Sequence, residues 1–258
     1  MTSLKNSLEV VLKRPDVLIP QRHLLLISHM RANTSLIGHL LGDHEDINGY
    51  YEMHIGYFSW KSLIRQKIEF YNSHPNQASS QYLFDKILHS EHYISPEVLA
   101  RDNVIPLFSI RNPVDTIPSI INLYRKVNQN HEFFTVSGAI LYYEKRLDTL
   151  LELAREMAHE YFYIDAEAIK TRTKETLDYI TRELNLSSPL QPTYKSNVKT
   201  GQGDSGDHSD NLKKGFISKE SSNYSDFNWP DGEKERLLKK YDEVRAKMIE
   251  LSKSACLK

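Results

Sequence analysis

Two short segments of this 258-residue chain carry the residue types that hold a phosphate. The first, residues 28–38, reads Ser-His-Met-Arg-Ala-Asn-Thr-Ser-Leu-Ile-Gly. It follows His23 to Ser28, an apolar run that reads as a buried strand bounded by turn residues. It leads into Thr34 to Gly42, which reads as a helix with Leu36, Ile37, Leu40 and Leu41 inward and Thr34 as its cap. Such a loop, between a strand's carboxyl end and a helix N-terminus, is where α/β folds bind anions. Unpaired N–H groups and the helix dipole both face it. Arg31 adds a permanent cation, and Thr34 and Ser35 add two hydroxyl donors. Taken alone, the segment reads equally as an ordinary capped helix with a surface arginine. It is not a Walker A loop, because G-x-x-x-x-G-K-[ST] is absent.

The second segment, Phe108 to Ser119, ends an apolar run in Arg111 and turns with Asn112-Pro113. It then places Ser119 on the following helix, eight residues after the arginine. With both segments in view, the chain resembles the sulfotransferases that use 3′-phosphoadenosine 5′-phosphosulfate (PAPS). That family has a first-strand loop of the form P-[KR]-S-G-T-[ST], which binds the 5′-phosphosulfate. It also has a strand-end R-[DN]-P-x-[DE] followed by a serine, which binds the 3′-phosphate. The matching residues here are Met30-Arg31-Ala32-Asn33-Thr34-Ser35 and Arg111-Asn112-Pro113-Val114-Asp115 with Ser119.

Further matches follow in order over residues 22–250. Asp43-His44-Glu45-Asp46-Ile47 is similar to the family's D-S-H-P-E-I, and Asp85-Lys86 to its D-K strand. Phe162 to Glu167 resembles the Y-E-D-L region, and Lys213-Lys214-Gly215-Phe216 the basic loop that closes over the 3′-phosphate. The departures have physical readings. Asn33 replaces the usual Gly and is the side-chain-bearing residue that best tolerates positive φ. Met30 replaces Pro and costs rigidity. Ala32 replaces Ser and costs one hydroxyl, but backbone amides carry much of the phosphate binding.

The resemblance implies in-line sulfuryl transfer from PAPS to a hydroxyl, less favourably an amine, of a small-molecule acceptor, with adenosine 3′,5′-bisphosphate (PAP) as product. By analogy with phosphoryl transfer, the protein supplies positioning, charge stabilisation on the leaving side and a base. Arg31 is assigned to the leaving oxygen and the 5′-phosphate, with Ala32, Asn33, Thr34 and Ser35 around it. Arg111, Ser119, Lys213, Lys214 and Gly215 are assigned to the 3′-phosphate. The base comes from Gly49 to His54, with Glu52 ahead of His54. Lys86 assists the transferring group, or forms an ion pair with Asp85. Tyr50, Tyr51, Tyr57 and Trp60 are candidates for the acceptor pocket, of the kind that suits aromatic, alicyclic or cationic ligands. The plainer reading makes at least half of these aromatic residues core. No metal is required by this scheme. A secondary metabolite is the expected acceptor class. The alternatives are a P-loop-type kinase, which lacks its lysine here, and a non-catalytic nucleotide-binding module.

The elements needed to position these residues can be traced along the chain. Residues 3–13 read as a short helix with Leu4, Leu8, Val11 and Leu12 on one face. Strands are expected at Tyr82 to Leu88, Val104 to Ile110 and Tyr161 to Ile164. Helices are expected from Pro113 towards Tyr124, with Pro118 inside, and at Val136 to His159, Glu167 to Leu184 and Asp231 to Ser252. The last of these carries Leu237, Leu238, Tyr241, Val244 and Met248 on a face that suits its own core or a partner, with its own core favoured. Residues 196–215 read as a flexible lid rich in Gly, Ser and Asp. Strands alternating with helices argue for an α/β fold: one domain over 1–258, with a central parallel sheet flanked by helices, P-loop-like.

Composition narrows the partners. Lys and Arg number 33 against 34 Asp and Glu, a net charge of −1, so a general nucleic-acid binder is disfavoured. Cys256 is the only cysteine, which excludes a disulfide framework within one chain. No apolar run is long enough to span a bilayer, and the N-terminus lacks a secretory pattern. A cytoplasmic protein acting on a small metabolite, without a membrane or nucleic-acid partner, is the expectation. Monomer and homodimer remain equally open.

Overall fold

A computed structural model describes residues 4–195, 211–219 and 223–258. Six strands form one parallel sheet: β1 Arg22–Ile27, β2 Ile47–Asn48, β3 Tyr82–Ile87, β4 Val104–Ile110, β5 Phe162–Asp165 and β6 Ser254–Cys256. Their order is β2-β3-β1-β4-β5-β6. Register is set by pairs such as Leu24 with Phe84 and Leu26 with Leu107. The chain leaves β1 towards β2 and β3 on one side, then crosses to β4 on the other. The strand order therefore reverses beside β1 and β4, the place where open α/β sheets hold ligands.

The strands are short apolar runs because helices cover both faces. Helices α1 Leu4–Lys13, α2 Thr34–Gly42, α3 Trp60–Ser73, α4 Pro96–Leu99, α5 Pro113–Val127, α6 Val136–Glu156, α7 Ala168–Thr171, α8 Thr173–Glu183 and α9 Glu233–Leu251 complete the described elements. Along β1 the side chains alternate between two cores. Leu25 and Ile27 pack with residues of α5, α6 and α9, and Leu24 and Leu26 with residues of α2 and α8. Leu237, Tyr241, Val244 and Met248 of α9 are buried in the first of these cores, as expected.

Several expectations need correction. The segment 167–184 is two helices, interrupted at Arg172, whose φ of −130° and ψ of 51° break the helical path. On α1, Leu12 is 82% exposed, and Val10 turns inward beside Tyr51 and Phe70. Asn33, not Thr34, takes the N-cap position of α2. Helix α3 was missed because its buried stripe includes Gln66 and Lys67. Gln66 Oε1 and Lys67 Nζ find partners inside: Oε1 lies 2.6 Å from His23 Nδ1 and Nζ donates to the Ile19 carbonyl, whereas Gln66 Nε2 has no hydrogen-bond partner. Strands β2 and β6, two and three residues long, are too short to show a period. No helix among the described residues is long and apolar enough to cross a membrane.

Candidate active site

The loop after β1 is shaped by two residues in left-handed backbone, Arg31 with φ 63° and Asn33 with φ 56°. Left-handed residues interspersed along a short loop turn successive N–H groups into a concave anion nest. Such a conformation costs roughly 1–2 kcal/mol for a residue with a side chain, so the loop is held by other bonds. Asn33 Nδ2 donates to the Ala166 carbonyl at 2.6 Å, which ties the left-handed residue to the end of β5. The Met30 N–H donates to the Tyr142 hydroxyl at 2.8 Å, which in turn donates to the Leu88 carbonyl. Asn thus takes the position of the expected Gly and adds an anchor that Gly lacks.

The second loop is built onto the first. His29 is fully buried, and its ring bridges the Met30 carbonyl at 2.8 Å and the Arg111 N–H at 2.9 Å. The second contact makes Nε2 an acceptor, so the ring is neutral with its proton on Nδ1. Burial holds its pKa down at about 4. Ser28 Oγ donates to the Ser109 carbonyl, and Arg111 Nη1 donates to the Arg31 carbonyl at 3.0 Å. Helix α5 begins with Pro113 at its first turn. Its cap, Asn112, accepts from the Asp115 N–H and donates to Glu167 Oε1 at 2.7 Å. Arg31 Nε donates to Ser119 Oγ at 2.8 Å. Residues 88 positions apart therefore form one cradle, and the Arg31 side chain leans towards the α5 side of it. Arg111 Nε is buried without a hydrogen-bond partner, an orphan donor that suits an oxyanion ligand.

Glu52 approaches the same cradle from irregular chain. The segment after β2 crosses α2 at Gly38, where an added Cβ would lie 2.4 Å from the Tyr50 carbonyl oxygen. Asp85, at the middle of β3, then clamps it: Asp85 accepts from the Met53 N–H at 2.9 Å and from the Tyr57 hydroxyl at 2.7 Å. Burial pushes the Asp85 carboxyl up to about 7, against these hydrogen bonds. Lys86 faces the opposite side of β3, and its Nζ donates to Ser35 Oγ at 3.1 Å. Glu52 is 8% exposed. Burial raises its pKa, opposed by the charges of Lys86, His54 and Arg146. A carboxylate of raised basicity beside a lysine that bonds to the loop after β1 is suited to accept a proton.

Arg146 was not singled out from sequence. It lies fully buried on α6 and donates to the Ser28 carbonyl at 2.8 Å and the Ile87 carbonyl at 2.7 Å, binding the ends of β1 and β3 together. Desolvation lowers its pKa to about 10, so it stays charged at neutral pH. Its sequence context is an ordinary helix, and a lone Arg on a helix gives no signal of burial. His29 was missed for a similar reason: its partners come from residues 1 and 82 positions away.

The aromatic residues near Glu52 divide. Tyr51 and Tyr57 are buried in the core, Tyr50 packs at the rim of α2, and Trp60 is half exposed at the start of α3. A cleft of about 150 Å³ lies instead beside Ser90, His92, Tyr93 and Arg146. Lys213 and Lys214 form a single helical turn, followed by Gly215 at φ 73°. The Gly215 carbonyl accepts from the Tyr194 N–H, and the Tyr194 ring lies 5.4 Å from that of His39 on α2. Residues 196–210 of the expected lid lie outside the described residues.

No family model matches this sequence, and no curated protein does. Solved structures do. The sulfotransferase domain from the curacin biosynthetic pathway is 14% identical, with a TM-score of 0.57 over 86% of this chain and 98% of that one. The sulfotransferase domain of the Synechococcus PCC 7002 olefin synthase is 15% identical, with a TM-score of 0.60 over 86% of this chain and 95% of that one. Mouse sulfotransferase SULT7A1, complexed with PAP, is 13% identical, with a TM-score of 0.53 over 96% of this chain and 91% of that one. The fold is that of the sulfotransferases, as the two phosphate segments implied.

Proposed function

We propose that this chain is a PAPS-dependent sulfotransferase, transferring a sulfuryl group to a hydroxyl of a small-molecule acceptor. The observation that carries the reading is the joined cradle: residues 28–35 and 109–119 bonded through His29 and Arg31, with Glu52 alongside. The orphan Nε of Arg111 and the nest at Arg31–Asn33 fit a nucleotide with phosphates at both ends. Arg111 and Ser119, with Lys213, Lys214 and Gly215, hold the 3′-phosphate. Ala32, Asn33, Thr34 and Ser35 hold the 5′ side through N–H and hydroxyl donors. Arg31 joins the two ends, and its guanidinium stabilises charge on the leaving oxygen. Bound PAPS supplies the activated sulfuryl group. Lys86 neutralises charge next to Ser35, and Glu52 accepts the acceptor's proton, with His54 behind it as second candidate. The acceptor enters over the cleft at Ser90, His92 and Tyr93. A secondary metabolite is the acceptor class, in keeping with two structural neighbours that are domains of biosynthetic enzymes.

Calorimetric titration with PAP tests the nucleotide half. Saturable binding is expected, and its absence at millimolar PAP would sink the proposal. A screen of acceptor pools with labelled PAPS, read as a mass gain of one SO₃, tests the transfer half. A wild-type protein that binds PAP and sulfates nothing is a binding module.

A further inference from the structure

The corner that carries Glu52 also gathers two histidines, and their geometry is that of a metal site. Glu52 and His54 lie on the crossing segment before α3, and His92 on the turn after β3. The two stretches are locked together where Tyr57 pairs with residues 93–95: the Tyr57 N–H donates to the Tyr93 carbonyl, and the Ser95 N–H to the Tyr57 carbonyl. One potential ligand atom from each of Glu52, His54 and His92 lies within 4.8 Å of the other two. His54 Nδ1 is 3.2 Å from His92 Nε2 and 3.9 Å from Glu52 Oε1. Ligand atoms about 2.0–2.1 Å from a tetrahedral zinc ion stand ~3.3 Å apart, close to the spacing of the two nitrogens and about 0.6 Å short of the His54–Glu52 separation. Glu52 is more than nine-tenths buried, and its Oε1, the atom turned towards His54, has no hydrogen-bond partner. An orphaned carboxylate oxygen beside a pair of imidazole nitrogens suits a cation.

We propose that Glu52, His54 and His92 bind one divalent transition-metal ion of the zinc class, and that this ion acts as a reversible brake on the transfer reaction. The second half rests on the sulfotransferase reading; the first does not. Two imidazoles and one carboxylate suit zinc and its neighbours, whereas magnesium and calcium take mostly oxygen ligands. The ion takes the lone pairs of the two nitrogens and of Oε1, and displaces the proton shared between the histidines. A carboxylate so engaged no longer accepts a proton from the acceptor. The nearby charges of Lys86 and Arg146 oppose a cation, which keeps the ion exchangeable.

The test is zinc titration of the full chain by calorimetry, with and without PAP. One equivalent of zinc is expected to bind, with no magnesium binding at the same concentration. His54 is exposed and His92 half-buried, so His54→Ala and His92→Ala leave the fold intact; each is expected to weaken zinc binding at least tenfold. His159→Ala, at an exposed histidine elsewhere, is expected to change nothing. Absence of one-to-one binding, or equal affinity in wild type and His92→Ala, overturns the site. The brake is supported if zinc inhibits transfer to an acceptor from the labelled-PAPS screen at the concentration at which it binds, and overturned if saturating zinc leaves that rate unchanged. Zinc bound without any PAP binding overturns the sulfotransferase reading and supports the metal site.

Discussion

The cradle of the two joined loops and the corner around Glu52 are neighbours built in different ways. The cradle uses two strand ends and two helix N-termini, so its donors are backbone N–H groups and residues a fixed few positions from a strand. It is locked by a neutral buried histidine, His29, between the two loops. The corner is irregular chain, bent over the glycine at 38 and hung from a buried carboxyl, Asp85. The donors of the cradle are set by local sequence and then joined by long-range bonds, whereas the path of the corner is itself set by contacts outside its own segment. Under the proposed function, the nucleotide-holding part can therefore persist while the chemistry beside it is retuned.

Four experiments press on that contrast. The largest effect is expected at Glu52: Glu52→Gln should lower the transfer rate by ~100- to 10,000-fold, with PAP affinity in calorimetry within about twofold of wild type. A large loss of PAP affinity would show that the corner and the cradle are one unit. Next is Arg111→Ala. Losing its charge-assisted bonds, each roughly 1.5–3 kcal/mol, should weaken PAP about 10- to 100-fold. Adenosine 5′-phosphosulfate, which lacks the 3′-phosphate, should be almost unaffected; equal losses for both ligands would mean that Arg111 does not read the 3′ end.

Third, Gly38→Ala should destabilise the fold by about 1–3 kcal/mol through overpacking against the Tyr50 backbone. It should also lower the transfer rate more than PAP affinity, because the displaced segment carries Glu52. Urea melts and kinetics check this together. The smallest effect is in pH. His23, His29 and His89 are held near pKa 4, all chiefly by burial. Unfolded histidines titrate near 6.5, so the stability they confer is present above that pH and is lost as pH falls towards 4. Asp85, raised to about 7, has the opposite sign: its contribution is present at low pH and is lost as pH rises from about 4 to 7. In urea midpoints between pH 4.5 and 7, His29→Phe should flatten the acid loss, and Asp85→Asn should steepen it. His29→Phe keeps the ring that packs edge-on against Tyr143.

The same contrast explains what could be read from sequence. Strand β4 and helix α2 stand where the apolar runs put them, and Asn33 takes the positive φ expected of a Gly replacement. Those features are local. Helix α3 was hidden because Gln66 and Lys67 in its inner stripe are polar, with Gln66 Oε1 held by His23 and Lys67 Nζ by the Ile19 carbonyl. Tyr51 and Tyr57 sit beside Glu52 in sequence and yet point into the core, because Asp85 draws the Tyr57 hydroxyl inward. His92 comes to His54 only through the pairing of residue 57 with the turn after β3. Arg146 is invisible for the reason that makes it useful: its partners are carbonyls at two strand ends.

That arginine has a consequence for the time course of binding. Its bonds to Ser28 and Ile87, with those of His29, hold the floor of the cradle in place before any ligand arrives. A floor already ordered loses little freedom on contact, so less of the interaction energy is spent on arranging it. Encounter with the nucleotide then needs no slow rearrangement of the strand ends. The observed rate of this first phase should rise in proportion to nucleotide concentration, without a plateau, and depend on ionic strength as attraction of an anion to a fixed cationic seat requires.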